Sequence, residues 1–192
     1  MIDHKDIETL FEDLLVQIEN RELAEKVVQT WVLACKQGNW NNVEDLKKIP
    51  FTLLVDVQSI NFIEHTIAVT EGAIGLARAQ ISNYQTMPYS IDIDALIAGG
   101  LLHDVGKLVE FESDGSGGFR QSYSGKCARH PISGAILAAA AGLPDNIINI
   151  IACHAKEGEG RPQCIETVLI HQADFATFDP LLMLGSSKLI LS

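Results

Sequence analysis

Four of the chain's six histidines lie inside apolar segments, or at segment ends that must face a core. Burying an imidazole among apolar side chains is costly unless a partner satisfies its ring nitrogens. A metal ion is the partner that accounts for several such residues at once. We therefore predict a metal site built around His65, His103, His130 and His154.

The string LLHDVGK contains the adjacent pair His103-Asp104. Neighbouring residues on a helix point about 100° apart, so both side chains can bind metal only if they face one shared pocket. An imidazole and a carboxylate able to bridge two cations would suit such a pocket. This donor set favours Mn²⁺, Fe²⁺, Co²⁺, Ni²⁺ or Mg²⁺ over structural Zn²⁺, because closed zinc sites prefer thiolates.

The order of these residues along the chain, H…HD…D, resembles that of the HD-domain metalloenzymes. His65, His103, Asp104 and Asp174 occupy the four positions, and the resemblance covers roughly residues 60–178. It implies that these four side chains bind one divalent metal ion.

The resemblance extends to members of that family that bind two metals. His130 in RHPISGA and His154 in IIACHAKEGEG lie where such members supply histidines to the second cation. Lys107 in HDVGK matches a lysine that faces the substrate phosphate. The implied catalytic residues are thus Asp104, as a bridging ligand, and Lys107, one helical turn beyond His103 and on the same side.

Two subgroups are most similar to this sequence. One is the HD domain of certain 3′–5′ exoribonucleases, which the chain resembles in HDVGKLVEF, in YSGKCARHPISGA and in the approach to HQAD. The other is the HD-GYP cyclic-dinucleotide phosphodiesterases. The chain has GEGRP in place of the GYP signature, and Cys153 precedes His154 where both subgroups commonly have two histidines. The implied activity is hydrolysis of a phosphate ester, either a nucleotide monoester or a short phosphodiester, with metal-activated water.

Other interpretations of the same residues remain open. His65 or His130 taken alone is a common core histidine, and Lys107 alone could be a solvated charge at a helix end. His171 shares a helix face with Asp174 and is expected behind the ligands, and Arg161 is a weak candidate for a phosphate contact. For the whole chain, the alternatives are an enzyme with one metal and a non-catalytic HD-type signalling or ligand-binding module.

The net charge of the chain and the hydropathy of its segments limit the kinds of partner that it could bind. With 14 Lys and Arg against 25 Asp and Glu, the net charge of −11 argues against binding long nucleic acid. A phosphorylated small molecule or a short oligonucleotide remains compatible, because divalent cations can reverse the local potential. No apolar stretch predicts a membrane span, and the charged N-terminus predicts a cytoplasmic protein. A homodimer is one possible use of the N-terminal helices.

Apolar residues recur at helical spacing, which predicts an all-α fold: an HD-domain helical bundle, with a small β-hairpin near residues 119–123. We expect an N-terminal helical extension over residues 1–50 and the HD domain over residues 51–192. Asn20 and Ser90 are the expected N-caps of two helices, and Gly38 the expected end of the first. The predicted core helices span residues 59–81, 91–110, 131–142, 145–155 and 164–177.

Overall fold

A computed structural model describes residues 1–57 and 59–191. The fold is an all-α bundle with one small antiparallel hairpin, as predicted. The helices are α1 (His4–Leu10), α2 (Glu12–Leu15), α3 (Arg21–Gln37), α4 (Val43–Leu46), α5 (Phe62–Asn83), α6 (Ile93–Leu102), α7 (Lys107–Glu110), α8 (Tyr123–Cys127), α9 (His130–Ala140), α10 (Asp145–Cys153) and α11 (Ile165–Gly185), with a 3₁₀ turn at Lys156–Gly158. Strands β1 (Phe111–Ser113) and β2 (Phe119–Gln121) form the hairpin.

Side-chain caps fix where the helices begin. The Asn20 side chain accepts a hydrogen bond at the start of α3, and Gly38 caps its end, both as predicted. The α5 helix begins later than expected, because Asn61 and Glu64 form a capping box at its first turn. The predicted cap at Ser90 is wrong: Asp92 accepts from the backbone of Ala95 and starts α6.

The core forms where α5, α6 and α11 pack together, with α10 against α6 and α11, α9 against α10, and α3 against α6 and α9. Trp31 of α3 is fully buried, and its indole N–H donates to the carbonyl oxygen of Leu101 over 2.9 Å. Trp40, beyond the end of α3, donates in the same way to Leu108. Since Trp31 and Trp40 pack on α6 and α7, the N-terminal helices share one hydrophobic core with the rest of the chain.

The predicted continuous helix over residues 91–110 is wrong, because α6 ends at Leu102 and α7 begins at Lys107. Several bonds around the connection are of the tighter i→i−3 kind, including Val105 to Leu102 and Lys107 to Asp104. The α9 helix approaches this turn so closely that a Cβ on Gly106 would lie 2.2 Å from the carbonyl oxygen of His130. The tight turn therefore reorients the chain at the His103-Asp104 pair.

The final helix is longer than predicted. It continues from Ile165 to Gly185 with Pro180 inside it, and Leu181 lies partly buried against the core. Within residues 1–57 and 59–191, no helix has both the length and the hydropathy needed to cross a membrane.

Candidate metal centre

Side chains from five parts of the fold gather around the carboxylate of Asp104, which is 1% exposed. On the side of its Oδ2 atom, His65 Nε2 lies at 3.5 Å and His103 Nε2 at 3.3 Å. Asp174, from the middle of α11, places its Oδ1 atom 3.1 Å from the same His65 nitrogen. The residues of the H…HD…D order, 109 positions apart at their extremes, thus share one point in space.

The Oδ1 atom of Asp104 faces a second group. His130 Nε2, at the start of α9, lies 3.2 Å from it, and His154 Nε2, just after α10, lies at 3.5 Å. Ligand atoms of His65, His103 and Asp104 fall within 4.8 Å of one another, and so do those of Asp104, His130 and His154. The structure brings together all six residues that the sequence singles out as ligands, in two groups that share one carboxylate.

The inward nitrogens of this cluster lack hydrogen bonds. His65 Nε2, His103 Nε2, His154 Nε2 and Asp104 Oδ1 are buried, and none has a hydrogen-bond partner among the described residues. Buried polar atoms of this kind are costly to leave unpaired, and a cation bound among them would satisfy several at once. The residues present therefore fit a divalent metal.

The outward nitrogens of the same rings are bound. His103 Nδ1 lies 2.6 Å from the carbonyl oxygen of Gly100, and His154 Nδ1 lies 2.8 Å from that of Ile151. A carbonyl oxygen only accepts, so each Nδ1 carries the proton. In the neutral ring, Nε2 then keeps its lone pair for a metal, which is the usual arrangement of a ligating histidine.

The carboxylates are ionised at neutral pH. Burial raises the pKa of Asp104, but the Lys107 ammonium and the neighbouring imidazoles outweigh burial and hold it well below its usual range. Burial likewise raises the pKa of Asp174, while the His65 ring beside it brings that pKa down to about 2. Two charged carboxylates among imidazoles make a donor set suited to a divalent cation.

Lys107 is not a solvated helix-end charge, because its side chain is only 10% exposed. Its ammonium donates to Asp104 Oδ2 over 2.5 Å and lies 5.9 Å from the centre of the Phe51 ring. The tight turn places Lys107 on the open side of the cluster, where it lines the adjoining cavity.

A cavity of about 760 Å³ opens beside the cluster. Asp104, Lys107, His130 and Asp174 contribute to its floor, and four phenylalanines line it further out: Phe51, Phe111, Phe175 and Phe178. Arg129 and Lys156 add positive charge to its walls. Arg161, the cation suggested by the sequence, is exposed and lies outside this lining.

Sequence reasoning missed two residues that support the cluster. Phe51 stacks on the His65 ring, with centroids 4.1 Å apart and planes 15° from parallel. Glu110 is 3% exposed and receives hydrogen bonds from His130. The sequence offers one sign of Glu110, an acidic residue within the apolar run KLVEF, but the side to which its side chain points depends on the unforeseen tight turn.

His171 lies behind the ligands, as expected: its Nδ1 is 2.5 Å from the carbonyl oxygen of His154.

Comparison with known proteins finds relatives that match part of this chain. Ribonuclease Y of Pseudothermotoga lettingae is 34% identical over 114 residues, which cover 59% of this chain and 18% of that protein. Ribonuclease Y of Thermotoga maritima is 33% identical over the same length, with the same coverage. The chain thus spans less than a fifth of these curated relatives, and no solved structure matches it significantly. A model of the HD domain matches residues 62–176, and the chain therefore belongs to the HD domain family, a family of metal-dependent phosphohydrolases.

Proposed function

We propose that this chain hydrolyses a phosphate ester with water activated by two divalent cations. The observation that carries the proposal is the division of the Asp104 carboxylate. Its Oδ2 atom faces His65 and His103, while its Oδ1 atom faces His130 and His154. A carboxylate placed between two groups of unpaired nitrogens has the geometry of a bridging ligand.

The ligand assignment follows from these two groups. His65, His103, Asp104 and Asp174 would hold the first cation, and Asp104, His130 and His154 the second. No cysteine of the chain is in either group, so Mn²⁺, Fe²⁺, Co²⁺, Ni²⁺ or Mg²⁺ suits the donors better than structural Zn²⁺. Both groups leave coordination positions for water and substrate, as a catalytic site requires.

When bound, a bridged pair of cations lowers the pKa of water between them and clamps phosphoryl oxygens during in-line attack. The other steps of the proposed mechanism depend on the protein's own side chains. Asp104 keeps the two sites at a fixed spacing, and burial keeps bulk water from its carboxylate. Lys107 lies where its ammonium can turn from Asp104 toward the cavity and neutralise charge that develops on the phosphoryl group.

The cavity favours a small substrate over a long polymer. A volume of about 760 Å³ suits a phosphorylated small molecule or a short oligonucleotide. The phenylalanines offer apolar surface to a base, and the net charge of −11 disfavours an extended nucleic-acid backbone. The matched relatives are named as ribonucleases, which supports a substrate drawn from RNA chemistry.

An assay with an aryl phosphate diester and a monoester, each with added Mn²⁺, tests this proposal. We expect turnover that EDTA abolishes and Mn²⁺ restores. Absence of turnover across several metals, nucleotides and dinucleotides would contradict it and favour the non-catalytic module. Turnover with one metal equivalent per chain, unchanged in His130→Ala, would favour an enzyme with a single metal.

A further inference from the structure

Glu110 makes a close set of contacts at the edge of the metal centre. Its Oε2 atom accepts from the backbone N–H of His130 and from His130 Nδ1, each over 2.7 Å. Its Oε1 atom accepts from Arg129 Nε over 2.8 Å and from Gln121 over 3.1 Å. One carboxylate therefore ties the start of α9, which carries His130, to α7 and the hairpin.

The acceptor role of Glu110 decides which nitrogen of His130 carries the proton. Each of its carboxylate oxygens already accepts from a group that can only donate: Oε2 from the backbone N–H of His130, and Oε1 from Arg129 Nε. Because both oxygens act as acceptors, the proton of a neutral His130 ring lies on Nδ1. The lone pair of Nε2 then points at Asp104 Oδ1, 3.2 Å away.

From these contacts we infer that Glu110 is a positioning residue for the second cation: it fixes the tautomer and orientation of His130 and makes its Nε2 a stronger donor. This inference rests on the proposed dinuclear site. The second group contains no carboxylate of its own beyond the shared Asp104, whereas the first contains Asp174. Glu110 supplies negative charge from behind His130, and this charge acts on the cation through the imidazole ring.

Arg129 donates to the same Glu110 carboxylate and has a separate role. Its side chain is half exposed, it lines the cavity, and its Nη1 atom lies 3.7 Å from Glu157. Its Nε atom is held by Glu110, so the guanidinium is fixed at the wall of the cavity. Loss of Arg129 should therefore weaken the binding of an anionic substrate.

The test is titration of the metal-free protein with Mn²⁺, followed by calorimetry, on wild type and Glu110→Gln. Glutamine keeps the shape of the side chain but removes its charge and one acceptor oxygen. We expect the second cation to bind about 10-fold to 100-fold more weakly, the cost typical of an outer partner of a ligating histidine, and the first within about twofold of wild type. Raising the Mn²⁺ concentration should restore turnover in this variant.

The matched control is Glu112→Gln, the same substitution two residues along the chain. Glu112 pairs with Arg120 on the exposed face of the hairpin and lies outside the cavity lining, so both affinities should stay at wild-type values.

The results separate the inference from the proposed function. If wild type binds two cations and Glu110→Gln binds both with wild-type affinity, or loses affinity for both equally, the positioning role is wrong. If wild type binds only one, the dinuclear proposal itself fails, and the positioning role fails with it. Nitrogen-15 NMR of metal-free wild type gives a check that needs no variant: the neutral His130 ring should carry its proton on Nδ1, and a proton on Nε2 would overturn the inference.

Discussion

The two sides of the Asp104 carboxylate are supported by different partners. On the first side, Asp174 brings a carboxylate directly to the cluster, and the outward nitrogen of His65 lies 3.4 Å from the Thr177 hydroxyl. On the second side, His130 is held by the Glu110 carboxylate over 2.7 Å. Each side thus has one carboxylate in addition to the shared Asp104. On the first side, the Asp174 carboxylate contacts the cluster directly. On the second side, the Glu110 carboxylate lies behind His130.

The two proposed sites are therefore not equivalent, although they share one carboxylate. Three helices, α5, α6 and α11, position the side chains of the first site, and the Asp174 carboxylate contacts the cluster directly. We therefore expect this site to bind its cation more tightly. In the second, the additional carboxylate, Glu110, lies behind His130 and not in contact with the centre, so we expect a more weakly held cation there. The predictions below test this asymmetry.

The largest effect should come from Asp104→Ala, because Asp104 belongs to both sides. We expect turnover to fall by more than about 10³-fold and both cations to be lost, since metal assistance contributes several kcal/mol to transition-state stabilisation. Metal analysis after gel filtration, alongside the diester assay, measures this. Retention of either cation would show that Asp104 does not bridge.

Removing one histidine from each side should affect the two cations separately. We expect His65→Ala to weaken the first cation by more than about 10²-fold, beyond the cost of losing an outer partner, and His130→Ala to do the same to the second. Calorimetric titration with Mn²⁺ resolves the two events. Identical loss of both cations in both variants would mean that the sites are not independent.

Lys107→Ala should separate chemistry from metal binding. Its ammonium is expected to stabilise charge on the phosphoryl group, so turnover should fall by about 10²-fold with both cations retained. Steady-state kinetics at saturating Mn²⁺, with metal content measured on the same sample, tests this. Wild-type kcat in this variant would remove Lys107 from the mechanism.

Lowering the pH should affect the first side more. Burial lowers the pKa of His65, but the carboxylates of Asp104 and Asp174 outweigh burial and raise it above its usual value, so a cation competes with a proton there. Burial lowers the pKa of His130, so this ring takes up a proton only at a lower pH than His65 does. Between pH 8 and pH 6 the first cation should weaken by up to about tenfold per pH unit for each proton displaced, and the second should weaken less. Titrations at several pH values decide this, and equal slopes would contradict it.

The smallest effect should come from Thr177→Val. Its contact with His65 Nδ1 is 3.4 Å long, at the limit of a hydrogen bond, so its loss should change the first cation's affinity by less than about threefold. The matched comparison is Glu110→Gln, expected to cost more on the second side. A larger effect of Thr177→Val than of Glu110→Gln would reverse the asymmetry.

Much of the fold could be predicted from the sequence, because helix caps and apolar periodicity are local signals. Asn20 and Gly38 bound α3 as expected, while the cap at Ser90 was wrong because Asp92 offers its carboxylate two residues later. The break after Leu102 could not be foreseen, since it depends on α9 packing against Gly106. Glu110 was missed for the same reason: its direction is set by that tertiary contact and by no local pattern.

The order of the candidate ligands along the chain was a better guide than any one residue. His65 taken alone is an ordinary buried histidine. What singled it out was its place before His103-Asp104 and Asp174, and the structure places these side chains around one carboxylate. The cavity depends on loop residues such as Phe51, whose stacking on His65 has no signal in spacing.

The most direct test of the central claim is a crystal structure of the protein grown with Mn²⁺, with anomalous scattering recorded at the manganese edge. We predict two peaks about 3.5–4 Å apart with the Asp104 carboxylate between them, the separation typical of two-metal hydrolytic sites. A single peak, or two peaks that do not share Asp104, would contradict the account.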